Sequence, residues 1–341
     1  MSLEKYRIAD WIADFLCDQN IVRVHGLTGG GAATLNDAFI KKENLEYICY
    51  HHEQSAGHAA IGEAKFTGNV AVVNPTTGCG GTNCATSVLN AWQDSTPVLF
   101  ISGNVKKETC TNWFYSQKGI KLRKYGIQEH DIVSTYKDIT KYSVFLDNKE
   151  DVKNVMEKSW LELNSGRKGP VWIDIPADIQ ATEIDTYKPY FKSQLSKKEK
   201  VNLDDIKLRI KKAERPLLLV GYGIRQSGNI TKFKNFIQKY QIPYVSTYGA
   251  RDYTAFEDPL NIGTVGNRGS RAGNFALQNA DLLLILGSSL GSSVVGYAPD
   301  LFSPQSYKIL VDCDKQELKK GIINIDEQIN SDLTEFFEGI L

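Results

Sequence analysis

Short apolar runs separated by glycine turns and by stretches of helical periodicity recur along the whole chain. IVRVHGL (21–27), LEYICYH (45–51), NVAVVNP (69–75) and TPVLFISGN (96–104) are short and nearly continuously apolar, which predicts strands buried on both faces. Between them the pattern predicts helices over 4–19, from about Thr34 to Lys42, over QSAGHAAIGEAKFTG with Gly68 closing it, and after TTGCGGTN through about Trp92. Residues 150–164 read as a further helix and GPVWIDIP (169–176) as the last strand of the block. Strand, glycine turn and helix in repetition belong to a parallel sheet covered on both sides. One stretch breaks the rhythm: KKETCTNWFYSQKGIKLRKYGIQEHDIV (106–133) is basic, aromatic and irregular.

Residues 181–200 are polar and lysine-rich without strong periodicity and read as a linker. RPLLLVGYGI (215–224), a helix near 229–240, IPYVSTYG, ADLLLILGSS (280–289) and SYKILVDCD (306–314) then repeat the strand-and-turn theme. The expected fold is α/β, with two doubly wound, mostly parallel-sheet domains. Their expected bounds are 1–180 and 201–341, joined by the linker.

Composition narrows the function classes. A length of 341 residues allows two cores. Lys plus Arg and Asp plus Glu stand at 40 each, so net charge gives no handle on nucleic acid or an anionic membrane. No apolar run approaches the roughly 20 residues that span a bilayer. MSLEKYRIADWIADFL lacks a signal-peptide core, so a cytoplasmic setting is expected. The six cysteines (Cys17, Cys49, Cys79, Cys84, Cys110, Cys313) form no CxxC pair and no zinc spacing with histidine, which predicts reduced, mostly buried thiols.

The candidate chemistry begins at Glu53, in HHEQSAGHAAIGEAKFTG (51–68), where a strand ends and a helix starts. Backbone N–H groups and the helix dipole favour an anion there, and an ordinary first-turn helix acid would occupy the same place. The Ala- and Gly-rich segment behind it lets this helix approach another backbone closely. His51, His52 and His58 read as packing or surface residues. TTGCGGTN (76–83) suits either a phosphate cradle or a tight strand-to-helix turn, and lacks the Gly-Lys-Ser/Thr ending of a P-loop. GYGIRQSG (221–228) and VDCD (311–314) hint at a nucleotide site without a full fingerprint.

Taken in order, VHGLTGGGA, HHEQSAGHAAIGEAKFTG, TTGCGGTN, NAWQDSTPVLFISGNV, IQEHDIV and GRKGPVWIDIPADIQ resemble the pyrimidine-binding domain of thiamine-diphosphate enzymes of the acetolactate synthase type. RPLLLVGYGI, GNRGS and ADLLLILGSS resemble the same family's central domain. The resemblance implies a transferase or lyase, a 2-keto acid decarboxylase or carboligase. It gives Glu53 the role of bonding N1′ of the cofactor's aminopyrimidine. That contact favours the imino tautomer that takes the proton from C2 of the thiazolium, and the carbanion attacks the 2-keto acid. It also implies cofactor-binding positions at Gly30, Gly78, Cys79, Asn83 and Gln128, and at Arg167 a contact to FAD in flavin-containing members. A homodimer or tetramer through the pyrimidine domain is implied as well.

Several residues depart from the family pattern. Cys79 stands where proline is usual, Leu27 where tyrosine is common, and the 106–127 stretch is longer than in the biosynthetic synthases. Leu290 replaces the arginine expected of a flavin-binding central domain, which counts against FAD. Together these suggest another donor or acceptor, a keto-sugar nucleotide among them. The family holds its diphosphate through Mg2+ with a GDG motif and a later Asn-Asn, and the sequence contains neither. The expectation is that thiamine diphosphate and Mg2+ are completed by a separate diphosphate-domain chain, or that this is a truncated form. Two other readings stand beside this one. One is a catalytically silent nucleotide-binding, regulatory or dimerisation module; a weaker one is a nicotinamide-linked oxidoreductase resting on GYG and VDCD.

Overall fold

A computed structural model describes residues 6–185 and 203–341, which fall into two compact units. The first carries strands β1 (Arg23–Gly26), β2 (Glu46–Cys49), β3 (Ala71–Asn74), β4 (Val98–Asn104), β5 (Tyr142–Phe145) and β6 (Val171–Pro176). All pair in parallel, in the order β2-β1-β3-β4-β6-β5. Alternate residues enter opposite cores. Val72, Leu99, Ile101, Val171, Ile173 and Ile175 pack under α1 (Ile8–Asp18) and α2 (Ala33–Lys41). Ala71, Val73, Val98, Phe100 and Trp172 face the other way, onto α3 (Glu53–Thr67). A sheet covered on both sides needs apolar residues at both parities, which is why its strands carry near-continuous apolar runs.

α3 buries Ala56, Gly57, Ala60, Ile61 and Ala64, a stripe of small side chains at helical spacing, and ends at Gly68 with φ +78°. A Cβ on Gly57 would fall 2.1 Å from Ser87 Oγ, so the close approach expected of this helix is made to the one carrying Ser87. The helix expected after TTGCGGTN forms as α5 (Ala85–Gln93), preceded across a break by a turn of helix inside that run, α4 (Cys79–Thr82). The break falls at Asn83, whose side chain is drawn towards Glu53. The 106–133 stretch is less irregular than its composition suggests, with α6 at Thr111–Lys118.

The second unit carries β7 (Pro216–Val220), β8 (Tyr244–Ser246), β9 (Asn261–Thr264), β10 (Leu282–Leu286), β11 (Tyr307–Asp312) and β12 (Glu327–Asn330), parallel in the order β12-β11-β10-β7-β8-β9. This is the doubly wound order of dinucleotide-binding folds, reversing direction between β7 and β10. Leu218, Val220, Leu284 and Leu286 enter one core and Leu217, Leu219, Leu283 and Ile285 the other. At the reversal, Gly223 N–H donates to Gly287 O at 2.9 Å, and a Cβ on Gly221 would lie 2.2 Å from that same oxygen.

The stretch read as a linker begins with structure. Ile8 N–H donates to Thr182 O and Ile184 N–H to Tyr6 O, an antiparallel bridge to the start of α1. Its remainder, from residue 186, lies outside the described residues, as does the beginning of the helix expected over 4–19. The cysteines correct one expectation: none is in a disulfide among the described residues, but only Cys84 and Cys110 are buried. Cys49 ends the edge strand β2 and Cys79 opens α4 at a loop tip, and both are exposed. Among the described residues no helix is long and apolar enough to cross a membrane.

Candidate active site

The strand order of the first unit reverses between β1 and β3, so the loops leaving those strands part at the carboxyl edge of the sheet, where ligands of open α/β sheets bind. The loop after β1 presents Gly29 to Gly31 and the loop after β3 presents Thr76 to Gly80. They touch through glycine. A Cβ on Gly31 would fall 1.6 Å from Thr77 Oγ1, and one on Gly29 would fall 2.5 Å from the Thr76 side chain. Behind them a buried amide network holds the spacing: Asn36 Nδ2 donates to Asn74 Oδ1 at 2.6 Å, and Asn74 Nδ2 donates to Ile101 O at 2.7 Å. Gln180 Nε2 fastens the outer loop by donating to Gly31 O at 2.7 Å.

Glu53 is the first residue of α3 and stands on this edge, because β2 ends four residues before it. Its side chain is 8% exposed. Asn83 Nδ2 donates to Oε2 at 2.7 Å, while Oε1 has no donor among the described residues. Oε1 lies 3.1 Å from the point where a Cβ on Gly80 would sit, so glycine there keeps the carboxylate's flank clear. A buried acid with one oxygen anchored and the other unpaired is arranged to meet a ligand atom that donates or exchanges a proton. Thr77 Oγ1 is also buried and has no hydrogen-bond partner among the described residues.

The β3 loop is pressed against the chain at Gln128. Gly78 has φ +47° and Gln128 φ +58°, and a Cβ on Gly78 would lie 1.7 Å from Gln128 O. Only glycine permits that contact. Glu129, 7% exposed, sits beside it and accepts from Thr111 N and Tyr125 N, each at 3.2 Å. Deeper in the sheet, Asp174 is fully enclosed and accepts from Ser102 Oγ at 2.6 Å and Asn104 Nδ2 at 2.7 Å. Burial pushes its carboxyl up to about 7 despite those two donors, and the nearby Asp131 and Glu129 charges push the same way.

Of the residues singled out in the sequence, Glu53, Gly78, Cys79, Asn83 and Gln128 share this edge, and Gly30 belongs to the β1 loop beside it. Space is open around Gly30, where a Cβ would meet nothing within 4 Å. Arg167 is placed elsewhere. It precedes β6 at the amino edge of the sheet, with Nη1 3.4 Å from Ser95 Oγ. Leu290, in the second unit, is buried with φ +49°. Glu129, Asp174 and Gln180 do not stand out in the sequence, because they draw on residues as far as 18, 72 and 149 positions away, and Thr77 shows itself only by its burial. The neighbouring IQEHD and IDIP runs were the only signal. The donor set fits an aminopyrimidine, with one buried carboxylate oxygen open to a ring nitrogen and a glycine-lined edge allowing a flat ring to approach.

Residues 6–134 match the thiamine pyrophosphate enzyme N-terminal TPP binding domain, and residues 203–340 match the central domain of the same enzymes. The chain is 32% identical over 317 residues to the acetolactate synthase large subunit of Lactococcus lactis, covering 91% of this chain and 52% of that protein. It is 31% identical over 320 residues to the large subunit of acetolactate synthase isozyme 1 of Escherichia coli (93% and 54%). A probable acetolactate synthase large subunit of Methanocaldococcus jannaschii is 30% identical over 330 residues (92% and 52%). The chain therefore spans about half the length of the curated relatives it matches. The resemblance read from the motifs is borne out in both units.

Proposed function

The chain belongs to the thiamine pyrophosphate enzyme family, and from that premise we propose that it supplies the aminopyrimidine-binding half of a thiamine-diphosphate-dependent 2-keto acid decarboxylase or carboligase of the acetolactate synthase kind. The observation that carries the reading is Glu53: buried, held at Oε2 by Asn83, and unpaired at Oε1. When bound, thiamine diphosphate supplies the carbon nucleophile and the electron sink for cleaving the bond beside the keto group. Glu53 Oε1 would hold the pyrimidine ring nitrogen and share a proton with it. Asn83 fixes the carboxylate's orientation, so little side-chain entropy is lost when that bond forms. Gly78 and Gly80 keep the rim low enough for the ring to reach the carboxylate, and Cys79, Gln128 and Gly30 border the opening.

The diphosphate and its Mg2+ are held outside these 341 residues, which contain neither GDG nor Asn-Asn. A diphosphate-binding domain outside the given residues would complete the site, on another subunit or a separate chain, and a homodimer or tetramer through the first unit would bring the parts together. FAD stays outside the proposal, since position 290 is a buried leucine and Arg167 stands at the other edge of its sheet.

The test is Glu53→Gln in an assembly reconstituted with a chain that carries GDG and Asn-Asn. Glutamine keeps an oxygen for Asn83, so the fold survives, while the ring nitrogen loses its proton partner. Turnover is expected to fall by at least about 100-fold, the usual scale for a lost acid–base group. Turnover equal to the parent would refute the assignment.

A further inference from the structure

We propose that residues 110–126 form an anion-reading loop at the rim of the Glu53 site, taking an acceptor substrate that bears a phosphate or diphosphate through Lys121, Arg123 and Lys124. The inference deepens the function proposed above and rests on it for the identity of the site.

The loop is closed at its neck. Gly126 N–H donates to Thr109 O at 2.9 Å. Glu129 ties the two ends together, Oε2 accepting from Thr111 N and Oγ1 and Oε1 accepting from Tyr125 N. A Cβ on Gly126 would lie 2.7 Å from Val105 Cγ2 and 2.9 Å from Thr109 O, so the neck closes only on glycine. Between these joined ends the segment runs through α6 and returns over residues 119–126, and surface excursions of this kind often carry function.

The neck opens on the Glu53 edge. Gln128, two residues past Gly126, presses on Gly78, and Gly80, two residues past Gly78, flanks Glu53 Oε1. A substrate meeting a cofactor held at Glu53 would therefore lie at the sheet edge on which the loop opens.

The loop is charged in one sense. Residues 110–126 contain Lys118, Lys121, Arg123 and Lys124 and no Asp or Glu, in a chain whose net charge is zero. All four cations are exposed. Lys118 lies over the Phe114 ring at 4.8 Å, and none of the four has a carboxylate within 4 Å among the described residues. Other cations of the chain do find acids, as Arg23 with Glu46 and Lys232 with Glu338. Four unneutralised charges on one short loop set up a local field for an anion. Arg123 offers the fork that matches phosphate oxygens two at a time. Tyr115 and Tyr125, 57% and 59% exposed on the same loop, supply flat faces for the rest of the molecule. Charge confined to one loop of a neutral chain suits a small anion rather than a polyanion.

The full chain is titrated calorimetrically with uridine 5′-diphosphate, inorganic pyrophosphate and uridine, and separately with thiamine. The parent is expected to bind both diphosphates, more weakly as salt is added, and to bind uridine far less. Lys121→Ala/Arg123→Ala/Lys124→Ala together should weaken both diphosphates by about tenfold or more, the scale of a few exposed ion contacts. Lys121→Arg/Lys124→Arg should retain them. Equal binding by parent and alanine variant, equal binding of uridine and its diphosphate, or no diphosphate binding would each overturn the proposal. Thiamine binding that is lost in Glu53→Gln but kept in the loop variant separates this proposal from the reading of Glu53.

Discussion

Replacing Asp174 with asparagine should flatten the pH dependence of stability. In the folded chain this carboxyl is 1% exposed between β4 and β5, and burial raises its pKa from 3.8 to about 7. A raised acid binds its proton more tightly when folded than when unfolded. The stability it contributes is therefore whole below about pH 4 and is lost as pH rises through about 7. The gap is about three pH units at about 1.4 kcal/mol each, on the order of 4 kcal/mol in all. Roughly 2–3 kcal/mol of that falls between pH 5 and 8. Asparagine is the neutral shape-match: its oxygen can accept from Asn104 Nδ2, and its amide can donate to Ser102 Oγ, which already accepts from Trp172 Nε1. Urea unfolding of parent and variant at pH 5, 6, 7 and 8 isolates the single group, because all others titrate in both chains. The variant should gain on the parent by about 2–3 kcal/mol from pH 5 to pH 8. Profiles parallel to within about 0.5 kcal/mol, a typical additivity error, would refute the assignment of a protonated carboxyl in the sheet.

Two further outcomes are expected. Gly78→Ala places a Cβ 1.7 Å from Gln128 O at a backbone with φ +47°, so it should cost at least about 2 kcal/mol in thermal unfolding and weaken thiamine binding. Unchanged unfolding would show that the two loops part freely. Titration of the native chain with a disulfide reagent should modify Cys49 and Cys79 first. Cys84 and Cys110 should lag until denaturant is added, since burial both shields these thiols and pushes them up out of the reactive range. Cys79→Ser should remove one fast equivalent.

Most of the fold was legible in one dimension because a parallel sheet covered on both sides writes itself as short apolar runs. Three strands escaped that reading: Tyr142–Phe145, Asn261–Thr264 and Glu327–Asn330, all at sheet edges and only partly buried. An edge strand has a neighbour on one side only, so its composition is free to be polar. Glu53 could be picked out from its place at a helix start, and Gly78, Asn83 and Gln128 from the resemblance of their local runs to the family's. Their conjunction could not. That Asn83 takes one oxygen of Glu53 and leaves the other, that Gly78 meets Gln128, and that Glu129 reaches back to Thr111 to close a loop are contacts between residues 18 to 50 positions apart. Arg167 shows the converse: a residue named beside the others stands at the opposite edge of the sheet, since strand direction decides which end of a run faces the site. Local pattern determined which elements form. Only the order of the strands, and the direction each one runs, decided which loops meet.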